Sequence, residues 1–326
     1  MITVADFSAL TLDLQEIFNE AAKKKIAEGK GMTEVFDVKD TARRSYIYQI
    51  IHGVAGIREV TPGQDLPSIN SSAGDTATFT QRYFGGKFEV TKEMRKFDLY
   101  EQISSMPKTL VDDAFDKVDQ SLADTLLFGW STTYTDVYNK SVSSVNPDGL
   151  ALFSASHNFN IGSRTYSNII TDGTNTNPAI SRAAIVKTRA IGKKFKDANG
   201  NTRPITLDHL VVGPTNEDLA ERIVYSQQIS GNSNNDVNAL KGKIKKITVW
   251  DRLDTDNAGT DKSAYWFMMD SSSQGETLKA LFAERPELDA PEQVYANKNW
   301  DFTCDFFYTI GLGYAAYVFG AKGDNS

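Results

Sequence analysis

The sequence predicts an α+β fold, and three observations carry that prediction. One apolar stripe runs through about 25 residues of 104–130, as a single long helix requires. Residues 53–98 are rich in Gly, Pro, Ser and Thr and alternate polar with apolar side chains, yet hold too few large apolar residues for a core of their own. The last 28 residues read as long strands, with Asp301, Thr303 and Asp305 alternating with Phe302, Cys304 and Phe306 to leave one polar face.

Taken in order, residues 8–29 form an amphipathic helix. Leu10, Leu14, Ile17, Phe18 and Ala21 share one face, and Gly29 and Gly31 end it. The alternating pieces 79–81 and 88–91 make 53–98 a long twisted β-hairpin that must lie against something else. The long helix follows, with serines as caps, Pro107 near its first turn, and Met106, Leu110, Phe115, Val118, Leu122 and Leu126 on its stripe. Residues 129–178 read as polar loops. A compact α/β unit comes next: a helix at 180–197, a tight turn at 199–201 and a buried strand at 209–214. A helix capped by a Thr215/Asp218 box then leads to strands at 245–253 and 264–270. The closing residues read as two long strands joined at a glycine turn.

Composition narrows the class. Among 326 residues, 40% are hydrophobic and 24% charged, which is ordinary for a soluble globular chain and excludes disordered, collagenous and disulfide-scaffold proteins. The net charge of −7 provides no global basic field for nucleic acid, although a local basic patch stays open. Cys304 is the sole cysteine, so an intrachain disulfide and a four-cysteine zinc site are excluded, and the chain suits a reducing cytoplasm. The N-terminal residues lack the basic start and unbroken apolar core of a signal peptide. The most apolar run, 306–321, spans 16 residues broken by three glycines, too short for a membrane span.

Candidate chemistry is sparse. "LFSASHNF" (152–159) places Ser154 and Ser156 beside His157, the residue types of a hydrolase nucleophile and base. Serine and histidine two or three positions apart in a loop rarely face each other, and no G-x-S-x-G elbow exists, so His157 reads as a structural hydrogen-bonder. His52 and His209 lack metal-ligand spacing to another histidine. "GLGYAA" (311–316) has the form of a dinucleotide fingerprint, but no βαβ unit follows it, and it reads as a turn. "DRLDTDNAGTDK" (251–262) has a calcium loop's composition without its ligand order. Lys23–Lys25 raise a DNA-binding reading, set against a solvated last helical turn. No catalytic, cofactor-binding or metal residues are therefore assigned, and no cofactor is expected.

The order of pieces nevertheless resembles a known family. "GGKFEVTKEMRKFD" (85–98), "DDAFDKVDQSLADTLLFGW" (112–130), "NPDGLALFSASHNF" (146–159) and "ITLDHLVVGPTNEDLAERIVYS" (205–226) resemble, in this sequence order, the major capsid proteins of tailed bacteriophages. These have the Hong Kong 97-type fold, and the likeness is strongest to major head subunits like that of phage Mu. Each motif alone is weak, whereas the ordered combination spans about residues 10 to 320.

That resemblance implies an N-terminal arm (1–52), an extended loop (53–98), a peripheral domain with its spine helix (99–179), an axial domain (180–290) and closing strands of the peripheral domain (291–326). It implies subunits assembling as pentamers and hexamers into an icosahedral head around double-stranded DNA, without sequence-specific binding and without a membrane. Assembly would take place in the host bacterial cytoplasm, with a portal and decoration proteins as further partners. Because the folded pattern begins within about ten residues, a separate scaffolding protein is expected rather than a long cleaved leader. Lys87 and Lys92 are available for an inter-subunit crosslink, but no matching acidic environment is visible and no crosslink residue is assigned. The alternatives are an encapsulin-like compartment enclosing cargo proteins, a hydrolase using His157, and a DNA-binding module using Lys23–Lys25.

Overall fold

The computed structural model describes residues 4–51, 59–65, 73–97, 100–159, 164–228, 237–294, 296 and 298–324. In chain order the elements begin with helix α1 (Val4–Glu28), strands β1 (Asp37–Asp40), β2 (Ser45–Ile51), β3 (Ala73–Thr80) and β4 (Arg82–Val90), and helices α2 (Lys92–Lys96) and α3 (Tyr100–Leu127). Short strands β5 (Thr133–Thr135), β6 (Ser141–Ser143), β7 (His157–Asn158) and β8 (Thr165–Tyr166) follow, then α4 (Arg182–Lys193), β9 (His209–Val212), α5 (Glu217–Tyr225), β10 (Lys246–Val249) and β11 (Trp266–Met269). The chain closes with β12 (Leu278–Leu288), β13 (Glu292–Val294), β14 (Asn299–Leu312) and β15 (Val318–Ala321).

Two compact units result. The first comprises Met1–Tyr46, Phe79–Leu122 and Ala280–Ile310. Its sheet is built on β14. Asp301 pairs with both Glu292 and Glu89, so β13 and β4 lie on opposite edges of that strand, and β12 follows β13's edge out to β1. The alternation of β14 does what its sequence requires: Phe302, Cys304 and Phe306 are buried, while Thr303 is exposed. Phe88 stacks on Phe302 at 4.9 Å and Phe84 on Phe306 at 5.6 Å, so the aromatic face of β4 meets that of β14. This face receives α3. Tyr308 donates its hydroxyl hydrogen bond to Ser121 Oγ at 3.1 Å, and a side chain at Gly86 would press on Leu110.

The long helix is close to its expected extent, with Val111, Phe115, Val118, Leu122 and Leu126 buried in one stripe. Its start differs. Ser104 and Ser105 lie inside the helix and donate to the carbonyls of Glu101 and Gln102, and Pro107 is interior. Helix α1 buries Leu14 and Phe18 as its periodicity predicts, and ends at Glu28 before Gly29. The winding then resumes as a π turn over Gly31–Val35, so Gly31 starts a turn where the sequence suggested a stop.

The second unit comprises Ile47–Thr78, Ala123–Lys279 and Gly311–Ser326. Its four-stranded sheet runs β10-β9-β11-β15, with β9 and β10 parallel across the α5 connection and β11 antiparallel to both its neighbours. Trp266, Phe267, Met268 and Met269 are all fully buried, which marks β11 as a strand covered on both faces. Helices α4 and α5 supply Ala184, Ile185, Ala220 and Val224 to the same core.

Three further sequence expectations need correction. The 53–98 hairpin is not one piece: β3 pairs with β2, whereas 82–90 pair along their length with 300–308. Residues 53–58, 66–72 and 98 of that reading lie outside the described residues. The closing strands do not pair with each other, because β15 joins β11. The Thr215/Asp218 capping box does not form: the Thr215 hydroxyl and amide both donate to Asp254 Oδ2, at 2.6 and 3.0 Å.

Candidate functional site

The loops after α3 converge on one buried polar knot, and "LFSASHNF" supplies its centre. Phe153 sits against Trp130 at 4.5 Å and Phe267 at 5.5 Å. Its ring fills the space above two glycines, where a Cβ at Gly129 or Gly320 would lie 2.6 or 2.8 Å from it. That close approach explains the glycine ending "LLFG" after α3 and the glycine within β15.

Four residues on, His157 is completely buried in β7 and stacks on Tyr166 of β8 at 5.1 Å. Its Nδ1 meets Asp148 Oδ2 at 2.6 Å, and its Nε2 faces Leu152 O and Asn168 Oδ1, both at 3.2 Å. Asn168 is oriented by its own bonds. Its Nδ2 donates to the carbonyls of Leu152, Ala315 and Val318, and its Oδ1 accepts from Ser154 N. With Oδ1 thus assigned, Nε2 of His157 faces only acceptors and must carry a proton. Burial would raise the Asp148 carboxyl. The hydrogen bond and charge of His157, with the amides of Leu150 and Asn158, outweigh it and hold the group below the usual aspartate value of 3.8.

This geometry has no place for a nucleophile. Ser154 Oγ accepts from Ser156 N at 3.3 Å, and both ring nitrogens of His157 are occupied by Asp148, Asn168 and a carbonyl. The carboxylate–histidine half of a triad is present, but its outer end is turned into the protein. His209 is likewise structural, held between Gln274 Oε1 at 2.7 Å and Thr248 Oγ1 at 2.8 Å. His52 lies outside the described residues.

The other candidates resolve in the same direction. Lys25 reaches Asp116 at 3.1 Å and Asp112 at 3.3 Å on α3, and Lys24 reaches Glu28, so part of the Lys23–Lys25 run is committed to carboxylates. Lys87 pairs with Asp301 at 2.6 Å, an acidic neighbour from β14 that the sequence reading did not find. The Lys92 amide donates to Asn299 Oδ1. In 251–262 the carboxylates hold backbone: Asp256 Oδ1 accepts from Ala258 and Thr260, and Asp261 Oδ1 from Ser263. Within "GLGYAA", Gly313 lies so close to Glu276 O that no Cβ could fit, which makes it a packing glycine.

One cleft of about 510 Å³ in the second unit is lined by Tyr48, Phe195, Asp197, Arg203, Tyr314 and Tyr317, among others. Asp197 accepts from the amides of Asn199 and Asn201, and Tyr48 donates to Glu276 at 2.9 Å. Burial pushes the Tyr314 and Tyr317 hydroxyls above their ordinary value, which makes them poor proton donors at neutral pH. No helix among the described residues is long and apolar enough to cross a membrane.

The architecture is a long helix against a sheet built on β14, together with a helix-flanked mixed sheet and buried polar knots around His157 and His209. A family model described as phage capsid protein matches residues 74–323, and the chain belongs to that family. Its fold is of the Hong Kong 97 type. The capsid of Myoviridae phage XM1 is similar over 91% of this chain and 90% of that one, at 11% identity and a TM-score of 0.52. The head structure of Helicobacter pylori bacteriophage KHP40 is similar over 88% and 87% at 10% identity and 0.51. The capsid of cyanophage P-SCSP1u is similar over 90% and 88%, at 10% and 0.50. No curated protein sequence matches the chain. The protein is a structural component of the phage head shell, located in the virion.

Proposed function

We propose that this chain is the repeating wall subunit, closing as pentamers and hexamers around double-stranded DNA and needing no catalytic chemistry of its own. The observation that carries this reading is the capsid family match across 74–323, which covers the long helix α3, the four-stranded sheet and every strand of the five-stranded sheet but β1. The β2–β3 ladder supports it, since it forms a two-stranded sheet apart from the larger ones and exposes Ile47. The ladder buries Ile50 and Phe79 and bonds through Tyr48 to Glu276 but leaves Ile47 in solvent, so that exposed side suits burial against a neighbour. In this proposal the second unit provides the axial contacts, the first unit the peripheral wall, and the β2–β3 hairpin the extended loop. A separate scaffolding protein guides assembly, and a portal and decoration proteins complete the head.

Size-exclusion chromatography with negative-stain microscopy, on the chain expressed with and without its candidate scaffold, tests the proposal. Capsomers or closed particles with five- and six-fold clusters are expected. A small discrete oligomer under every condition would overturn the reading, and particles loaded only with cargo protein would overturn the DNA assignment.

A further inference from the structure

An acidic chain carries one strongly basic segment. Residues 182–246 hold twelve Lys and Arg against six Asp and Glu, a net of +6 within a total of −7. Much of that charge gathers at one end of the second unit. Strands β9 and β10 are parallel, with His209 opposite Lys246, so the residues leading into both lie along one end of the sheet. The chain leaving α4 arrives there too: Arg189 Nε donates to Leu207 O at 3.0 Å, and the Lys245 amide donates to Asp208 O at 2.7 Å. Phe195 and Lys245 line one cavity of about 450 Å³.

Around this end Lys193, Lys194, Lys196, Lys241 and Lys243 are all exposed, and Lys187 lies two helical turns before Lys194 on the same stripe. Among the described residues none of these six ammonium groups is held by a carboxylate, whereas Lys245 and Arg203 beside them pair with Asp208 and Asp197. The helix dipole accounts for Lys193 and Lys194 at the C-terminus of α4, but not for Lys196, Lys241 or Lys243.

We infer that this lysine edge is a contact surface for the phosphate backbone of double-stranded DNA, independent of sequence. Three features favour a polyanion over a protein partner. The charges are lysines, strongly hydrated point charges that protein–protein interfaces deplete and nucleic-acid contacts enrich. No large exposed apolar side chain falls within 193–203 or 239–246, the exposed valines nearest in sequence being Val186 and Val237. Among the described residues the ammonium groups are exposed and held by no carboxylate, as non-specific phosphate contacts allow. The inference rests on the shell reading only for the source of the DNA; the edge itself can be tested on the free chain.

The experiment measures binding of the full-length chain, held as free subunits or capsomers, to a labelled random-sequence duplex of about three helical turns. Fluorescence anisotropy is read across a salt series around 0.1 M. Weak binding is expected, with Kd of about 10⁻⁴ to 10⁻⁶ M and a steep salt dependence. Two variants are compared: Lys193→Gln/Lys194→Gln/Lys196→Gln and Lys241→Gln/Lys243→Gln. Each should weaken binding and make the log–log salt slope shallower by about one per lysine removed. The control Lys23→Gln/Lys24→Gln on α1 should bind like the parent, and thermal melting confirms that every variant is folded. Absence of parental binding, or edge variants that bind like the parent, would overturn the inference. Variants that lose capsomer or particle formation while keeping parental DNA binding would also overturn it, by showing that the edge meets another protein surface. A chain that never assembles yet loses DNA binding in the edge variants would sink the shell reading and leave the inference standing.

Discussion

At His157 and Asp148 the protein buries an acid–base pair that does structural work. The ring ties three loop strands together: Asp148 from the turn after β6, Leu152 from the next bend, and Asn168, which in turn grips Ala315 and Val318 before and within β15. Removing one partner of a buried pair leaves the other charge uncompensated. His157→Ala should therefore cost about 3–5 kcal/mol of stability, measured by denaturant unfolding, and abolish no hydrolysis. The pH dependence follows from Asp148, whose carboxyl is held below its unfolded value of 3.8. Its contribution is complete above that value and is lost as pH falls through the lower folded value. Asp148→Asn should therefore be less stable than the parent at neutral pH, and the gap should narrow on acidification below about pH 4. The serine–histidine spacing was legible in the sequence; the true partners were not. Asp148 and Asn168 lie 9 and 11 residues from His157; the turn closed by the Val145–Ala151 bridge presents Asp148, and the register of β7 on β8 brings Asn168 to the ring.

Among the elements, β14 makes the strongest case for reading period before partner. Its alternation identified the buried face correctly, because period 2 is a local property of the chain. Its pairing with β4, more than 200 residues earlier, was invisible, and the same alternation in 82–90 served equally well for a hairpin. The helix ends failed for a related reason: Thr215 has the residue type of a cap, but Asp254, 39 residues away, competes for both its amide and its hydroxyl. The long stripe of α3 survived because its apolar positions are fixed by 3.6-residue geometry alone. Two outcomes belong to this sheet. Phe302→Ala, which empties a fully buried site stacked on Phe88, should destabilise the fold by about 3–5 kcal/mol, again by denaturant unfolding. Cys304 lies on the same buried face, and burial first, with the nearby charge of Asp305, pushes its thiol up to about 12. The native protein should resist thiol-reactive probes at pH 8 and become labelled only on unfolding; stoichiometric labelling of native protein would contradict this packing.

For the whole molecule, His157 and His209 are engaged in structural hydrogen bonds, and the shell role of the family belongs to surfaces. The family resemblance was readable because the order of pieces is a property of the entire chain, while the division of labour among surfaces depends on which side chains stay unpaired after folding. Ile47 is the sharpest case. It lies on β2, is 68% exposed, and belongs to a two-stranded ladder whose Tyr46 and Phe79 rings stack at 6.5 Å and whose Ile50 is buried, so among the described residues Ile47 is the apolar side chain left in solvent there. Since that exposed isoleucine contributes little to the free subunit, Ile47→Glu should shift its stability by no more than about 0.5 kcal/mol. In a wall where neighbours cover the hairpin, the same change buries an unpaired carboxylate at every copy of the contact, and the penalty is multiplied by the symmetry of the shell. Particle yield by microscopy should therefore collapse while the melting temperature of the free subunit barely moves. If closed particles form at the parental yield, the hairpin's exposed side is not a wall contact, and the β2–β3 ladder must be covered in some other way.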